Sequence, residues 1–197
     1  MPKKKTDVAF LLDQTGSMAM CKDDTIGGFN TFISEQRRLR NNISFSFTLF
    51  NGGGIEKRYV NESLRNIKDL SEDSYRPSHM TPLWDAIGST IGELGAAENV
   101  LFIILTDGEE NCSREFSAET VKSLIETKKK DGWEFLFLGA DISDFGGAQM
   151  LGIHDSYTTQ KGNMRGTYRN IGCTVSNFCS TGEVTYNDED KETTDGN

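Results

Sequence analysis

Proline and histidine are scarce, with 3 and 2 copies in 197 residues. So few prolines exclude a collagen-like chain. His79 and His154 do not fall at metal-ligand spacing with any cysteine, which argues against a zinc site. No apolar run is longer than Val100–Leu105, far short of the roughly 20 residues a membrane-spanning helix needs. Positive charge is also in deficit. Lys and Arg total 21 against 30 Asp and Glu, a net charge of -9. Phosphate backbones are held by clustered Lys and Arg, so no nucleic-acid partner is expected. Part of the acidity is local: Asp188, Glu189, Asp190, Glu192 and Asp195 stand against Lys191 alone, the pattern of a solvated tail. The 4 cysteines, Cys21, Cys112, Cys173 and Cys179, include no CxxC pair. Lys3, Lys4 and Lys5 are followed only by the short apolar run Val8–Leu12, too short for a secretory leader. Free, buried thiols in a cytoplasmic protein without membrane contact are therefore expected.

Hydrophobic residues make up 36% of the chain, enough for the core of one domain of this length. Val8–Leu12, Val100–Leu105 and Phe135–Leu138 are continuous apolar runs, the pattern of strands covered on both faces. Ile43, Phe45, Phe47 and Leu49 alternate with Ser44, Ser46 and Thr48, then Asn51-Gly52-Gly53-Gly54 leads into Ile55–Val60. That predicts a hairpin with an edge strand. Ile26, Phe29, Phe32, Ile33 and Gln36 predict a helix over about 19–40, with Gly27 and Gly28 inside it allowing close approach to the sheet. Thr81 reads as an N-cap and Pro82 as the first residue of a helix carrying Leu83, Ile87, Ile91 and Leu94 and ending at Gly95. A third helix starts at Ser117 and ends at the basic run Lys128–Lys130. A short helix over Asp144–Leu151 and a last strand over Asp155–Thr158 follow. Met164, Tyr168, Ile171, Val175 and Phe178 predict a helix near 163–178 docked on the same core. The expected organisation is a basic tail over 1–5, a single domain over 6–180 and an acidic tail over 181–197. The expected fold class is α/β: an open, mainly parallel sheet with one antiparallel edge strand and helices on both faces.

Ligands of such sheets sit at the carboxyl ends of the strands. There the first strand runs into Asp13-Gln14-Thr15-Gly16-Ser17, the strand at Val100–Leu105 runs into Thr106-Asp107-Gly108, and a helix between them starts at Thr81. Asp13, Thr15, Ser17, Thr81 and Asp107 form an all-oxygen donor set that suits Mg²⁺, Mn²⁺ or Ca²⁺. Two carboxylates nearly neutralise a divalent ion. An open coordination position would then accept an Asp or Glu carboxylate from another protein. Gln14, Trp84, Glu109 and Glu110 are candidate partner contacts on the rim.

These residues resemble the metal-ion-dependent adhesion site of the von Willebrand factor type A (vWA) domain. Its motif is Asp-x-Ser-x-Ser after the first strand, a Thr before a middle helix and an Asp after the fourth strand. Asp13, Ser17, Thr81 and Asp107 match, and Thr15 replaces the usual Ser while keeping its hydroxyl. The resemblance covers roughly residues 6–158. It implies a Rossmann-like fold, a bound Mg²⁺ and protein binding without catalysis. Within the family the chain looks most like the small stand-alone domains of bacteria and their phages.

Two other readings compete. Asp13 and Asp107 can be turn residues after strands and Thr81 merely a cap, leaving a scaffold with an unused site. A haloacid-dehalogenase-like, Mg-dependent phosphatase also places an Asp after its first strand, and Thr106, Asp141 and Asp144 imitate its other groups. The residue two after Asp13 is Thr15, however, so that enzyme's usual general acid is missing. No Cys–His pair or convincing Ser–His–Asp order is evident. No enzymatic activity is expected.

Overall fold

The computed structural model describes residues 5–95, 97–140 and 146–186. Asp141, Asp144, residues 1–4 of the basic tail and residues 187–197 of the acidic tail lie outside the described residues. The strands are β1 (Thr6–Asp13), β2 (Ile43–Asn51), β3 (Gly54–Ser63), β4 (Val100–Thr106), β5 (Glu134–Ala140) and β6 (Ser156–Thr159). The helices are α1 (Lys22–Leu39), α2 (Leu83–Leu94), α3 (Ala118–Lys130), α4 (Gly146–Met150) and α5 (Met164–Thr181). The strands form one sheet in the order β3-β2-β1-β4-β5-β6. All neighbours are parallel except the hairpin β2–β3. This is the expected α/β class, with β3 as the antiparallel edge. Its bulged pairing with β2 is held partly by the Ser46 hydroxyl, which accepts the Asn61 N–H at 2.9 Å.

Alternation along the buried strands divides the core into two layers. Val8, Phe10 and Leu12 face α1 and α5, together with Phe45, Phe47 and Leu49 of β2. Ala9 and Leu11 face α2 and α3, together with Phe102, Ile104, Phe135 and Phe137. Phe10 is the hub of the first layer. It lies 6.0 Å from both Phe29 and Phe32 and stacks on Tyr168 of α5 at 6.0 Å with rings 6° apart. The Gln36 side-chain amide also donates to the Gly172 carbonyl at 3.0 Å, tying α1 to α5.

Three local expectations need correction. The first helix does not run unbroken from residue 19. A 3-10 turn over Gly16–Cys21 precedes α1, pinned by the buried Met18 and Cys21. Secondly, Thr81 does not cap α2 with its side chain, and Pro82 precedes the helix rather than opening it. The first turn is capped from elsewhere: Trp84 N–H donates to Glu110 at 2.9 Å and Asp85 N–H to the Ser113 hydroxyl at 3.1 Å. Thirdly, all four cysteines are free but only Cys21 is buried. By contrast, Ser117 caps α3 as expected, accepting the Thr120 N–H at 3.3 Å.

Of the glycine pair in α1, Gly28 serves a helix–helix contact rather than the expected helix–sheet one. A Cβ on Gly28 would land on the Tyr168 ring, whereas one on Gly27 would meet nothing within 4 Å. Gly27→Ala should therefore stabilise the fold by about 1 kcal/mol through helix propensity. Gly28→Ala should destabilise it by about 1–3 kcal/mol, because the buried ring has nowhere to go. Urea denaturation of the two variants tests this; equal shifts of the same sign would show that α1 and α5 are not in close contact at Gly28.

Candidate metal centre

The strand order reverses between β1 and β4. From β1 the chain passes to β2 on one side, then returns after β3 to β4 on the other. Helices leaving in opposite directions open a crevice at such a point. Asp13, the last residue of β1, and Thr106, the last of β4, meet there.

Asp13 is fully buried. Its Oδ1 accepts the Thr15 N–H at 2.6 Å and its Oδ2 accepts the Thr106 hydroxyl at 2.5 Å. The Thr15 and Ser17 hydroxyls lie 3.1 Å apart, and the Ser17 hydroxyl donates to Asp107 Oδ1 at 2.6 Å. Asp13, Thr15, Ser17 and Asp107 are thus linked across the ends of β1 and β4, Asp13 to Thr15 through the Thr15 N–H and the others through hydroxyl and carboxylate oxygens. Thr81 reaches the same edge by a different route. Its hydroxyl packs against Gly108, where an added Cβ would come within 2.8 Å of Oγ1. Only a residue without a side chain permits that approach.

Several residues hold this arrangement in roles that the sequence did not assign to them. Thr106 orients Asp13. The buried Tyr75 donates its hydroxyl to the Asp13 carbonyl at 2.7 Å, fastening the loop before α2 to the end of β1. The same loop is zipped down by Ser78 N–H to Gln14 O at 2.9 Å and Gly16 N–H to His79 O at 3.1 Å. Asn111 brackets Thr81: its Oδ1 accepts the Thr81 N–H at 2.8 Å, and its own N–H donates to the Thr81 carbonyl at 3.1 Å. Lys161, in the turn after β6, places its ammonium 2.8 Å from Asp107 Oδ2. Nothing in local pattern marks these roles, because most of the contacts join residues tens of positions apart.

The four rim residues fare differently. Glu109 is exposed. Gln14 turns its amide to the Arg76 carbonyl at 3.0 Å, and Trp84 packs against the α2–α3 layer of the core. Glu110 is engaged in the fold: besides Trp84 N–H it accepts Cys112 N–H at 2.8 Å, Ser113 N–H at 2.7 Å and the Ser113 hydroxyl at 2.6 Å. Asp85 answers from α2 by accepting the N–H groups of Arg114, Glu115 and Phe116 at 2.8–2.9 Å. Glu110 and Asp85 therefore stitch the loop after β4 to the start of α2. That loop carries Asp107 and Asn111.

Burial raises the Asp13 carboxyl to about 6; hydrogen bonds from Thr106 and Thr15 oppose the rise, and the nearby Asp107 charge adds to it. Among the described residues Asp107 Oδ2 accepts no hydrogen bond, and the Lys161 ammonium stands beside it. The edge thus holds a raised carboxyl and a buried carboxylate oxygen without a hydrogen-bond donor, with three hydroxyls nearby. Such a set fits a hard divalent cation. Among the described residues no group of three or more His, Cys, Asp or Glu side chains converges on a metal-binding position. The candidate set relies on hydroxyls for its remaining donors.

No protein-family model matches the chain, and no curated protein matches it by sequence. Solved structures do match. A von Willebrand factor type A protein from Catenulispora acidiphila superposes with a TM-score of 0.59 at 10% identity, over 87% of this chain and 42% of its own. The chain has a vWA-like fold. Proximal thread matrix protein 1 from the mussel byssus gives a TM-score of 0.61 at 16% identity, over 85% of this chain and 45% of its own. An aerotolerance-related membrane protein from Bacteroides fragilis gives 0.54 at 14% identity, over 87% of this chain and 99% of its own. At these identities the likeness is one of fold. The chain spans less than half the length of the first two proteins. Among its described residues no helix is long and apolar enough to cross a membrane.

The raised Asp13 carboxyl has a consequence for stability. The unfolded chain releases this proton near 3.8 and the folded, metal-free chain near 6. Between these values the folded state holds the extra proton, so the contribution is full below 3.8 and is lost as pH rises through about 6. Its size is on the order of 3 kcal/mol. In EDTA, the stability of wild type relative to Asp13→Asn should therefore fall between pH 4 and pH 7. Chemical denaturation across that range checks it; a difference independent of pH would mean that Asp13 titrates normally.

Proposed function

We propose that this chain is a divalent-metal-dependent protein-binding domain. In this reading Asp13, Thr15, Ser17, Thr81 and Asp107 hold Mg²⁺, with Mn²⁺ or Ca²⁺ as substitutes. A partner protein supplies an Asp or Glu carboxylate to the ion. The observation that carries the reading is the hydrogen-bonded cluster of carboxylate and hydroxyl side chains at the switch point, on a fold of the vWA type. The ion would supply positive charge to anchor the partner's carboxylate, and the carboxylates and hydroxyls of the five residues would hold it.

The surroundings support a protein partner. Met20 is 88% exposed in the turn that carries Ser17, and Met80, beside Thr81, is 54% exposed. Apolar side chains beside an ionic anchor suit a protein surface, where a buried contact excludes water from the charged pair. Thr15 occupies the position where the phosphatase reading needs an acid. A non-catalytic role is therefore part of the proposal. The free thiols support a reducing, cytoplasmic setting.

Calorimetric titration of the EDTA-stripped protein with Mg²⁺ or Mn²⁺ should show about one site, lost in Asp13→Ala. Binding retained by that variant would refute the ligand assignment, and no binding by wild type would leave a scaffold with an unused site. Metal-dependent hydrolysis of a generic phosphate ester, abolished in Asp13→Asn, would instead favour the phosphatase.

A further inference from the structure

We propose that Lys161 is an internal counter-cation of the candidate metal centre, one that holds Asp107 in the metal-free protein and opposes entry of the divalent ion. The inference rests on the metal-binding reading above and concerns what sets the affinity of that site.

The geometry is specific. The Asp107 side chain is wholly shielded from solvent, and its two oxygens have different neighbours. Oδ1 accepts the Ser17 hydroxyl at 2.6 Å. Oδ2 has the Lys161 ammonium at 2.8 Å, and the Lys161 side chain is itself only 22% exposed. Lys161 begins the 3-10 turn Lys161–Asn163 that joins β6 to α5. That turn packs against the turn Gly16–Cys21, which carries Ser17. The ammonium is thus delivered from the turn after the edge strand β6 onto the Asp107 oxygen that lacks a hydrogen bond.

A shielded carboxylate without a cation is costly, so in metal-free protein Lys161 supplies the neutralising charge. A divalent ion bound by Asp107 would meet a positive charge within a few ångströms, where screening by water is weak. Either the ammonium withdraws from Oδ2 or the two cations share Asp107; both lower the net gain from binding the ion. If it stays, two carboxylates no longer balance a divalent ion plus an ammonium. The loaded site then keeps a surplus positive charge for an incoming carboxylate.

The test compares the wild-type chain, Lys161→Met and Lys161→Arg, with Mn²⁺ as the probe. Lys161→Met keeps an apolar stem of similar length without charge, and Lys161→Arg keeps the charge. Calorimetry should give at least tenfold tighter Mn²⁺ binding for Lys161→Met and near-wild-type affinity for Lys161→Arg. In EDTA, Lys161→Met should melt at a lower temperature than wild type, because Asp107 has lost its counter-charge, and saturating Mn²⁺ should narrow that gap. If Lys161→Met does not fold, Lys161→Gln retains a donor for Asp107 and should show the same direction of change. Clear binding by wild type with equal or weaker binding by the folded neutral variants would overturn the role of Lys161 alone. No uptake by wild type or by any variant would overturn the metal-binding reading itself, and this inference with it.

Discussion

The hydrogen bond between the Thr106 hydroxyl and Asp13 Oδ2 joins the ends of the two strands between which the sheet changes direction. Everything proposed for the carboxyl edge depends on it. Asp13 is fully buried and has no cationic partner in the series, so its oxygens must be satisfied by neutral donors. Thr15 N–H and the Thr106 hydroxyl supply them. The same contacts fix the direction in which the loop after β1 leaves the sheet, which brings Ser17 to Asp107 across the strand gap.

Around that point the fold is built to keep loops rigid. Glu110, Ser113 and Asp85 exchange hydrogen bonds between the loop after β4 and the first turn of α2. Asn111 clamps Thr81 from both sides of its backbone, and Tyr75 fastens the intervening loop to β1. A helix N-terminus has donors to spare; here a loop from a neighbouring strand satisfies them, so helix start and loop are ordered together. The aromatic layer under α1 and α5 performs the matching task on the other face. Phe10 and Tyr168 are stacked, and Gly28 is small enough to let α1 reach that stack. Lys161, just before α5, is carried to Asp107 by the same packing.

Much of this was legible beforehand. The apolar runs at β1, β4 and β5 announced themselves because strands buried on both faces need no polar alternation. Asn51-Gly52-Gly53-Gly54 marked the β2–β3 turn, and Ser117 marked the start of α3 by its own hydroxyl. Both are signals in which cause and effect lie within a few residues. Thr81-Pro82 looked like the same kind of signal and was not. The Thr81 side chain is committed to the strand edge beside Gly108, and the helix is capped from a loop 26–28 residues away.

From the order of its residues alone, this protein is an α/β chain with Asp13, Thr15 and Ser17 after one strand and Asp107 after another. Hydrophobic pattern and local turn chemistry determine that much, since each acts over a turn or a strand. The tertiary structure alone decided that Ser17 reaches Asp107, that Gln14 and Glu110 hydrogen-bond to distant segments while Trp84 packs on the core, and that an ammonium from Lys161 stands at the candidate centre. These are pairings across the sheet between residues separated by tens of positions. Their geometry follows from strand order and layer packing, which no short window of sequence encodes.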